Sequence, residues 1–444
     1  MKDLTKGNIT TGLLLFTLPL LFGNFFQILY NTMDTLIVGQ TLGKLALASV
    51  GSTGSINFLI VGFAQGMTAG LAIITAQRFG GKDATGVRKS FATGILFTVA
   101  ISLLLGVISL IFVRQLLQLM QTPDEILAGA VTFLSIMLGG MIFANLFNFL
   151  SSALRAIGDS KTPVIALIIS SIANIAFEYI AILLLHTGIA GAGFATLLAQ
   201  LISVIFLTAH IHKHVPELHF TKTVLRFDKD EFVEHARLAI PMGFQSSIIA
   251  IGSITMQVAL NTLGTNAVAT QAIVSKIDQL AMLPMISIGL AMSTFAAQNY
   301  GAKQFKRITQ GLTRSVLIAV FWGISFGVIL NIFHHGFTTL FISPKQTQVI
   351  ALSARYYLMN GGFYWILSIL FVTRSTIQGL GNGKIPTIAG FMELIFRAIV
   401  AIIGVLLLNY TLVISANAAA WIGSTLILIP TTIKMIHSFN QKNA

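Results

Sequence analysis

The feature that most constrains this chain is a series of apolar runs, each long enough to cross a lipid bilayer. A helix needs about 20 apolar residues to span a hydrocarbon core ~30 Å thick. Twelve stretches meet that length: 12–37, 48–75, 90–113, 127–150, 163–186, 189–210, 236–261, 267–297, 312–333, 350–373, 386–408 and 412–436. In hydrocarbon the backbone must satisfy its own hydrogen bonds, so only helices and closed barrels can span. Barrel strands are about 10 residues long and alternate apolar with polar. The runs here are longer and continuous, which predicts helices. Only 9% of the 444 residues are charged, against 55% apolar. A soluble domain carries about 25% charged residues, so this chain cannot coat a soluble surface. With no cysteine, disulfides, Cys-ligated metals and thiol catalysis are excluded. Lys2 and Lys6 precede the first run as in a signal peptide, but no small-x-small cleavage site follows clearly, so a retained helix is expected.

The positive charge tests this count of spans. With the N-terminus inside, 21 of the 27 Lys and Arg fall in cytoplasmic segments, and three (Lys44, Arg114 and Lys345) fall outside. That bias follows the positive-inside rule and puts both termini in the cytoplasm of a multi-pass cell-membrane protein. The net charge of +13 therefore belongs to the membrane face and does not point to nucleic acid.

The chain is also doubled. Ala76-Gln-Arg-Phe-Gly-Gly-Lys82 returns as Ala297-Gln-Asn-Tyr-Gly-Ala-Lys303, at an offset of 221. Gly158-Asp-Ser-Lys-Thr-Pro163 returns as Gly381-Asn-Gly-Lys-Ile-Pro386 at 223, and Leu42-Gly43 as Leu263-Gly264 at 221. Each half holds an even number of spans, so the halves share one orientation and are related by an axis along the membrane normal. The expected architecture is all-α: twelve transmembrane helices in two six-helix lobes, 1–211 and 236–444, joined by a cytoplasmic linker at 212–235. Repeats of this kind are common in alternating-access transporters, whose sites lie where the repeats meet. His210, His212, His214 and His219, in and beside the linker, read as a solvated segment rather than a metal site.

Four carboxylates fall inside spans: Asp34, Glu178, Asp278 and Glu393. Charge at mid-bilayer costs about 2.5–3.5 kcal/mol on insertion scales, so each is a functional candidate. Asn174 and Glu178 are i,i+4 on span 5 and share a face. Counting about 1.5 Å per residue, Glu178, Thr196 on span 6 and Asp34 on span 1 all fall in the outer half of the membrane. Two carboxylates, an amide oxygen and a hydroxyl are hard donors suited to a proton or a small hard cation. Glu393 and Arg397 are i,i+4 and read as a structural ion pair; Asp278 is open between a structural and a substrate-path role. Tyr30, Phe147, Met256, Gln257 and Asp278 are the candidates for a substrate cavity. Pro19 and Pro241 occupy matching places in the first helix of each half, where each removes a hydrogen bond and kinks the helix. No P-loop, nucleophile elbow or His-x-x-x-His spacing is present, so neither an enzyme nor an ATP-driven pump is indicated.

Together, Met33-Asp-Thr-Leu-Ile-Val-Gly-Gln-Thr-Leu-Gly43, Arg155-Ala-Ile-Gly-Asp-Ser-Lys-Thr-Pro163, Gly188-Ile-Ala-Gly-Ala-Gly193 and the segments Lys276-Ile-Asp-Gln279 and Ala297-Gln-Asn-Tyr-Gly301 resemble the multidrug and toxic compound extrusion (MATE) family over nearly the whole chain. The resemblance implies a V-shaped pair of six-helix lobes and an antiporter that exports amphipathic, mostly cationic compounds against Na⁺ or H⁺. It implies no cofactor, no metal beyond Na⁺ at the cation site, no nucleic-acid partner and no obligate protein partner, hence a monomer in the lipid bilayer. Similar proteins bind the coupling cation through an Asp in the first helix and an Asn, an acid and a Thr in the fifth and sixth. Asp34, Asn174, Glu178 and Thr196 match those positions, with Glu in place of the more usual Asp. The further acids that some relatives carry in the seventh and tenth helices have no match; span 7 offers Gln245, Gln257 and Asn261. A flippase for lipid-linked saccharides of the same superfamily is the alternative reading, with fourteen spans and a more cationic cavity expected of it.

Overall fold

The computed structural model describes residues 3–219 and 228–443, and every regular element among them is helical. In chain order these are α1 (Ile9–Ser52), α2 (Gly54–Gly80), α3 (Ala84–Leu119), α4 (Asp124–Gly139), α5 (Met141–Ala156), α6 (Thr162–Tyr179) and α7 (Gly188–His214). Then follow α8 (Lys229–Asn261), α9 (Thr265–Gly301), α10 (Phe305–Ile332), α11 (His334–Thr339), α12 (Thr347–Tyr356), α13 (Tyr364–Gly379), α14 (Lys384–Leu406) and α15 (Tyr410–Asn443). Two π-helical turns interrupt them, Ile180–Leu184 after α6 and Tyr357–Gly361 between α12 and α13.

Ten of the described helices are each long and apolar enough to cross a membrane, and α4 with α5, bent by 45°, makes an eleventh. The remaining apolar stretch, 350–373, is not one helix: α12, a π turn and α13 share it. Large apolar side chains such as Phe321, Leu340 and Leu406 stand about three-quarters exposed, as lipid-facing residues do and a soluble surface rarely tolerates. The linker is shorter than 212–235, because α7 runs on to His214 and α8 begins at Lys229; its residues 220–227, with Lys222 and Arg226, lie outside the described residues.

The repeat is written in the backbone. Gly43 and Gly264 have φ of 81° and 94°, Lys82 and Lys303 59° and 56°, Gly158 and Gly381 92° and 85°. All have positive φ and stand at helix breaks or boundaries, Gly43 and Gly264 with ψ near 180°, and glycine reaches such regions without strain. The hydrogen bonds match too: Asp83 N–H donates to Arg78 O, and Gln304 N–H to Asn299 O. The recurring motifs are therefore helix stops, and Gly43 divides what is otherwise a single 44-residue α1. His186 and Leu408 form a further left-handed pair that shares no residue identity and escaped the sequence comparison.

The chain forms two compact units, one of Leu18–Ser246 and one of Leu4–Thr17 with Ser247–Ala444. The changeovers thus fall inside α1 and α8, beside Pro19 and five residues after Pro241, not in a linker. In each unit the repeated motif after the second helix holds the segment that leads into a first helix. In the first unit, Arg78 pairs with Glu231 at 2.6 Å and Glu234 at 2.8 Å, and Lys89 with Asp228 at 2.6 Å. The hydrogen bond from Lys89 holds the exposed Asp228 carboxyl below its ordinary range. Buried His235 places Nε2 2.9 Å from Ser90 Oγ. In the second unit, Leu4 N–H donates to Gln298 Oε1 at 3.0 Å, and Arg307 donates to the carbonyls of Leu4, Lys6 and Gly7.

Glu393 pairs with Arg397 as expected, at 3.2 Å, but it also meets Arg374 at 2.6 Å. Arg374 is buried on α13 and is not among the free cytoplasmic charges. Breaking a buried pair from one side leaves charge unmatched. Glu393→Ala, which strands two guanidiniums, is expected to cost about 3–5 kcal/mol, read as a lower melting temperature of the purified protein in detergent.

A second prediction concerns close backbone approach. A Cβ at Gly327 on α10 would meet the carbonyl oxygen of Gly361, in the π turn. Backbone cannot give way as a side chain can, so Gly327→Ala should destabilise by about 1–3 kcal/mol. Gly336→Ala, which has open space around it, is the control expected to melt as the wild type does.

Candidate functional site

The site in the first unit grows from how α6 and α7 meet. The buried face of α6 carries Ala166, Ser170, Asn174 and Glu178, one residue per turn. On α7 it faces Ser203, Ala199, Thr196 and Ala192, a stripe of small residues that lets two helices approach closely. Polar rungs tie the pair together. Ser203 Oγ donates to Ala166 O and Ser170 Oγ to Ala199 O, each at 3.1 Å, and Asn174 Nδ2 donates to Thr196 Oγ1 at 3.3 Å. Thr196 Oγ1 in turn donates to Ala192 O at 3.1 Å.

Glu178 is the next rung. It is 0% exposed, and among the described residues neither carboxylate oxygen is met by a donor in good hydrogen-bond geometry; nor are Asn174 Oδ1 and Asp34 Oδ1. Asp34, half-buried on α1, adjoins Glu178 closely enough for the two carboxyls to interact directly. Tyr30, one turn before Asp34, lies against Asp34, Glu178 and Thr196. No Lys, Arg or His enters the group among the described residues. The turn after Glu178 is π-helical, a geometry that loosens the helix ladder and is frequent at functional sites.

The structure therefore brings together all four residues expected to bind a cation, and adds Tyr30. The i,i+4 spacing of Tyr30 and Asp34 was the signal in the sequence that could have joined them. The remaining cavity candidates are dispersed. Phe147 packs against the core of the first unit. Met256 is 4% exposed inside the core of the second, so it lines no open surface there. Gln257 is exposed and donates to Asn261 Oδ1 at 2.8 Å. Asp278 is buried and accepts hydrogen bonds from Tyr356 and Tyr364, two partners its sequence context did not indicate. His210 stacks on His214, and His212 on His219. Among the described residues no group of three or more His, Asp or Glu is placed to hold a metal ion. The acid–amide–hydroxyl set around Glu178 offers hard oxygen donors only.

The site is not doubled with the fold. At an offset of 222, Met256 stands for Asp34, Phe396 for Asn174, Val400 for Glu178 and Ala418 for Thr196. The second unit fills the equivalent place with apolar side chains.

A doubled bundle of membrane-spanning helices, with an unmatched pair of carboxylates buried in one half, defines a membrane transporter rather than an enzyme. The MatE family model matches residues 19–180 and again 241–403, so it fits twice, each time starting at the proline of a first helix. The chain belongs to the MatE family. It is 29% identical over 391 residues to the probable multidrug resistance protein YoeA of Bacillus subtilis, covering 86% of this chain and 84% of the relative. It is 23% identical to the probable multidrug resistance protein NorM of Thermotoga maritima, over 98% of this chain and 93% of the relative. A crystal structure of a MATE in the bent conformation superposes with a TM-score of 0.91, covering 99% of this chain and 98% of the other at 20% identity, a likeness of fold.

Burying Glu178 without a donor in good hydrogen-bond geometry costs stability that a neutral isostere would not. Glu178→Gln is expected to melt no lower than the wild type, with Glu178→Ala lower because it opens a cavity beneath Asp34. Circular-dichroism melts in detergent check the order.

Proposed function

We propose that the protein is an ion-coupled multidrug antiporter, exporting amphipathic and mostly cationic compounds by alternating access, with Na⁺ or H⁺ returning as the coupling ion. The observation that carries this is the Asp34–Glu178 pair, two adjacent carboxylates in a buried, donor-poor setting. Like charges this close resist being ionised together. A proton shared between them, or an alkali cation bridging them with Asn174 Oδ1 and Thr196 Oγ1, removes the repulsion. Uptake of the ion changes the charge on α1, and Pro19 gives that helix a weakened hydrogen-bond ladder at which to bend. Tyr30 lies near enough to both acids to interact with their charge, and we assign it the place where bound ion and bound drug sense one another. Both termini are taken to lie in the cytoplasm, where the bias of Lys and Arg puts them. The names of YoeA and NorM as probable multidrug resistance proteins support the class of substrate.

The test is ethidium efflux from purified protein in liposomes, under a Na⁺ gradient alone and a pH gradient alone. One gradient should drive efflux and so identify the ion. Asp34→Asn should lower that efflux at least ~10-fold, a barrier of about 1.4 kcal/mol, with the protein still folded. If folded wild-type protein moves no ethidium under either gradient, the antiporter reading falls, and transport of a lipid-linked saccharide becomes the reading to pursue.

A further inference from the structure

One carboxylate in the second unit answers for two guanidiniums. Glu393 and Arg397 lie on α14 and Arg374 on α13, and they are 5%, 6% and 6% exposed. Glu393 Oε2 accepts from Arg374 Nη2 at 2.6 Å, and its Oε1 from Arg397 Nη2 at 3.2 Å. Arg374 Nη2 also donates to Ser424 Oγ, on α15, at 3.1 Å. On α8, Gly252 leaves space for Arg397: a Cβ there would run into its Nη1. Helices α8, α13, α14 and α15 thus close on the group.

The group is short of negative charge. One carboxylate against two guanidiniums leaves an excess of one positive charge. An arginine does not shed its proton inside a protein, so burial cannot neutralise it. Within Leu4–Thr17 and Ser247–Ala444 the sequence holds two acids, Glu393 and Asp278. Asp278 accepts from Tyr356 and Tyr364, and among the described residues it pairs with neither arginine. The unit therefore has no further carboxylate to supply. The group is short of acceptors too. Each guanidinium carries five N–H groups, yet the two make three hydrogen bonds between them. Nε of Arg374 and Nε of Arg397 are both buried, and among the described residues no acceptor meets either. Because α14 begins at Lys384, Glu393 and Arg397 stand about 14 and 20 Å along it at ~1.5 Å per residue. That is deep in a hydrocarbon core ~30 Å thick, where an unmatched charge is disfavoured.

We propose that Arg374, Arg397 and Ser424 form a binding site for one small monovalent anion of the halide class.

The chemistry of the group selects that ligand. Water would accept from the free N–H groups but bring no charge. A divalent anion would overshoot an excess of one. An organic anion needs room, and the side chains here are more than nine-tenths buried. A halide is compact, accepts from several N–H groups at once and adds one negative charge. Ser424 Oγ accepts from Arg374, which leaves its own hydrogen to donate. Nor does the fold itself demand the three charges. The repeat runs at offsets of 221 to 223, and residues 151–153, 170–172 and 174–176 of the first unit, which correspond to Arg374, Glu393 and Arg397, are all uncharged.

The experiment is a thermal melt of the purified full-length protein in detergent, with sodium gluconate replaced stepwise by sodium chloride or sodium bromide. Na⁺ and ionic strength stay fixed, so the site at Asp34 and Glu178 meets the same cation throughout. The wild type should gain about 2 °C or more, saturably, because a ligand held by the folded state alone raises the melting point. Gluconate is too large to enter. Arg397→Gln should abolish the gain. Glu393→Gln removes the competing carboxylate, so its half-maximal gain should come at a halide concentration ~10-fold lower. A group that serves packing alone shifts the melting point of each variant equally in gluconate and in halide. Indifference of the wild type to halide, a gain that survives Arg397→Gln, or an unmoved midpoint in Glu393→Gln overturns the proposal. Where a variant does not fold, anomalous diffraction from wild-type crystals grown in bromide decides. A bromide peak between the two guanidiniums supports the site, and its absence refutes it. No drug or gradient enters the measurement, so its outcome is independent of the efflux assay.

Discussion

A polar group in hydrocarbon finds no water, so its partner must come from the protein. Most of the buried polar atoms described here obey that constraint by local means. Thr98, Thr270, Ser287 and Thr373 turn their hydroxyls back onto the carbonyl one turn earlier. Larger groups are matched between helices, as Arg374 and Arg397 are by Glu393. Four unsatisfied oxygens, of Asp34, Asn174 and Glu178, belong to one group of side chains. They lie together on neighbouring helices, all are acceptors, and no base is at hand. Single unsatisfied atoms such as Asn145 Oδ1 and Gln200 Oε1 occur elsewhere, but here several acceptors, two of them on one carboxylate, share one place.

The fold was legible to the extent that it depends on runs and stops. Apolar runs mark the spans, and the recurring motifs mark the turns, because a residue with positive φ at a helix boundary limits what can stand there. Gly43 with Gly264, and Gly158 with Gly381, show that limit in both sequence and backbone. The stretch 350–373 shows where such reading ends. Nothing in its hydropathy separates a straight span from α12, a π turn and α13, since the break is set by the approach of α10 at Gly327 and Asn331. Likewise Arg374 reads as a loop charge until Glu393 and Ser424 are seen beside it.

The site was legible for a different reason. Asn174 and Glu178 lie one turn apart, and Asp34 and Thr196 are polar exceptions in apolar runs, so composition alone isolates them. The cavity candidates had no such contrast. A Met or Phe in a membrane helix packs inward or faces lipid with equal chemical sense, and here Met256 lies in the core of the second unit while Phe147 packs, partly buried, against that of the first. Tyrosines such as Tyr356 and Tyr364 lie 78 and 86 residues from Asp278, and only packing reveals which acid they serve.

The compact units also explain why Pro19 and Pro241 stand where they do. Residues 4–17 belong with the second unit and the rest of α1 with the first, and α8 is divided in the opposite sense. Each of these helices is thus a shared element, with a missing hydrogen bond close to the point where it changes allegiance. Asp34 rides on one of them, and the far end of that helix is held by Arg307 and Gln298 through backbone carbonyl and amide groups. The helix is held by its preceding segment, loses a hydrogen bond at Pro19 and carries an acid beyond that point. Asp34 thus lies on the same continuous helix as Pro19, fifteen residues beyond it.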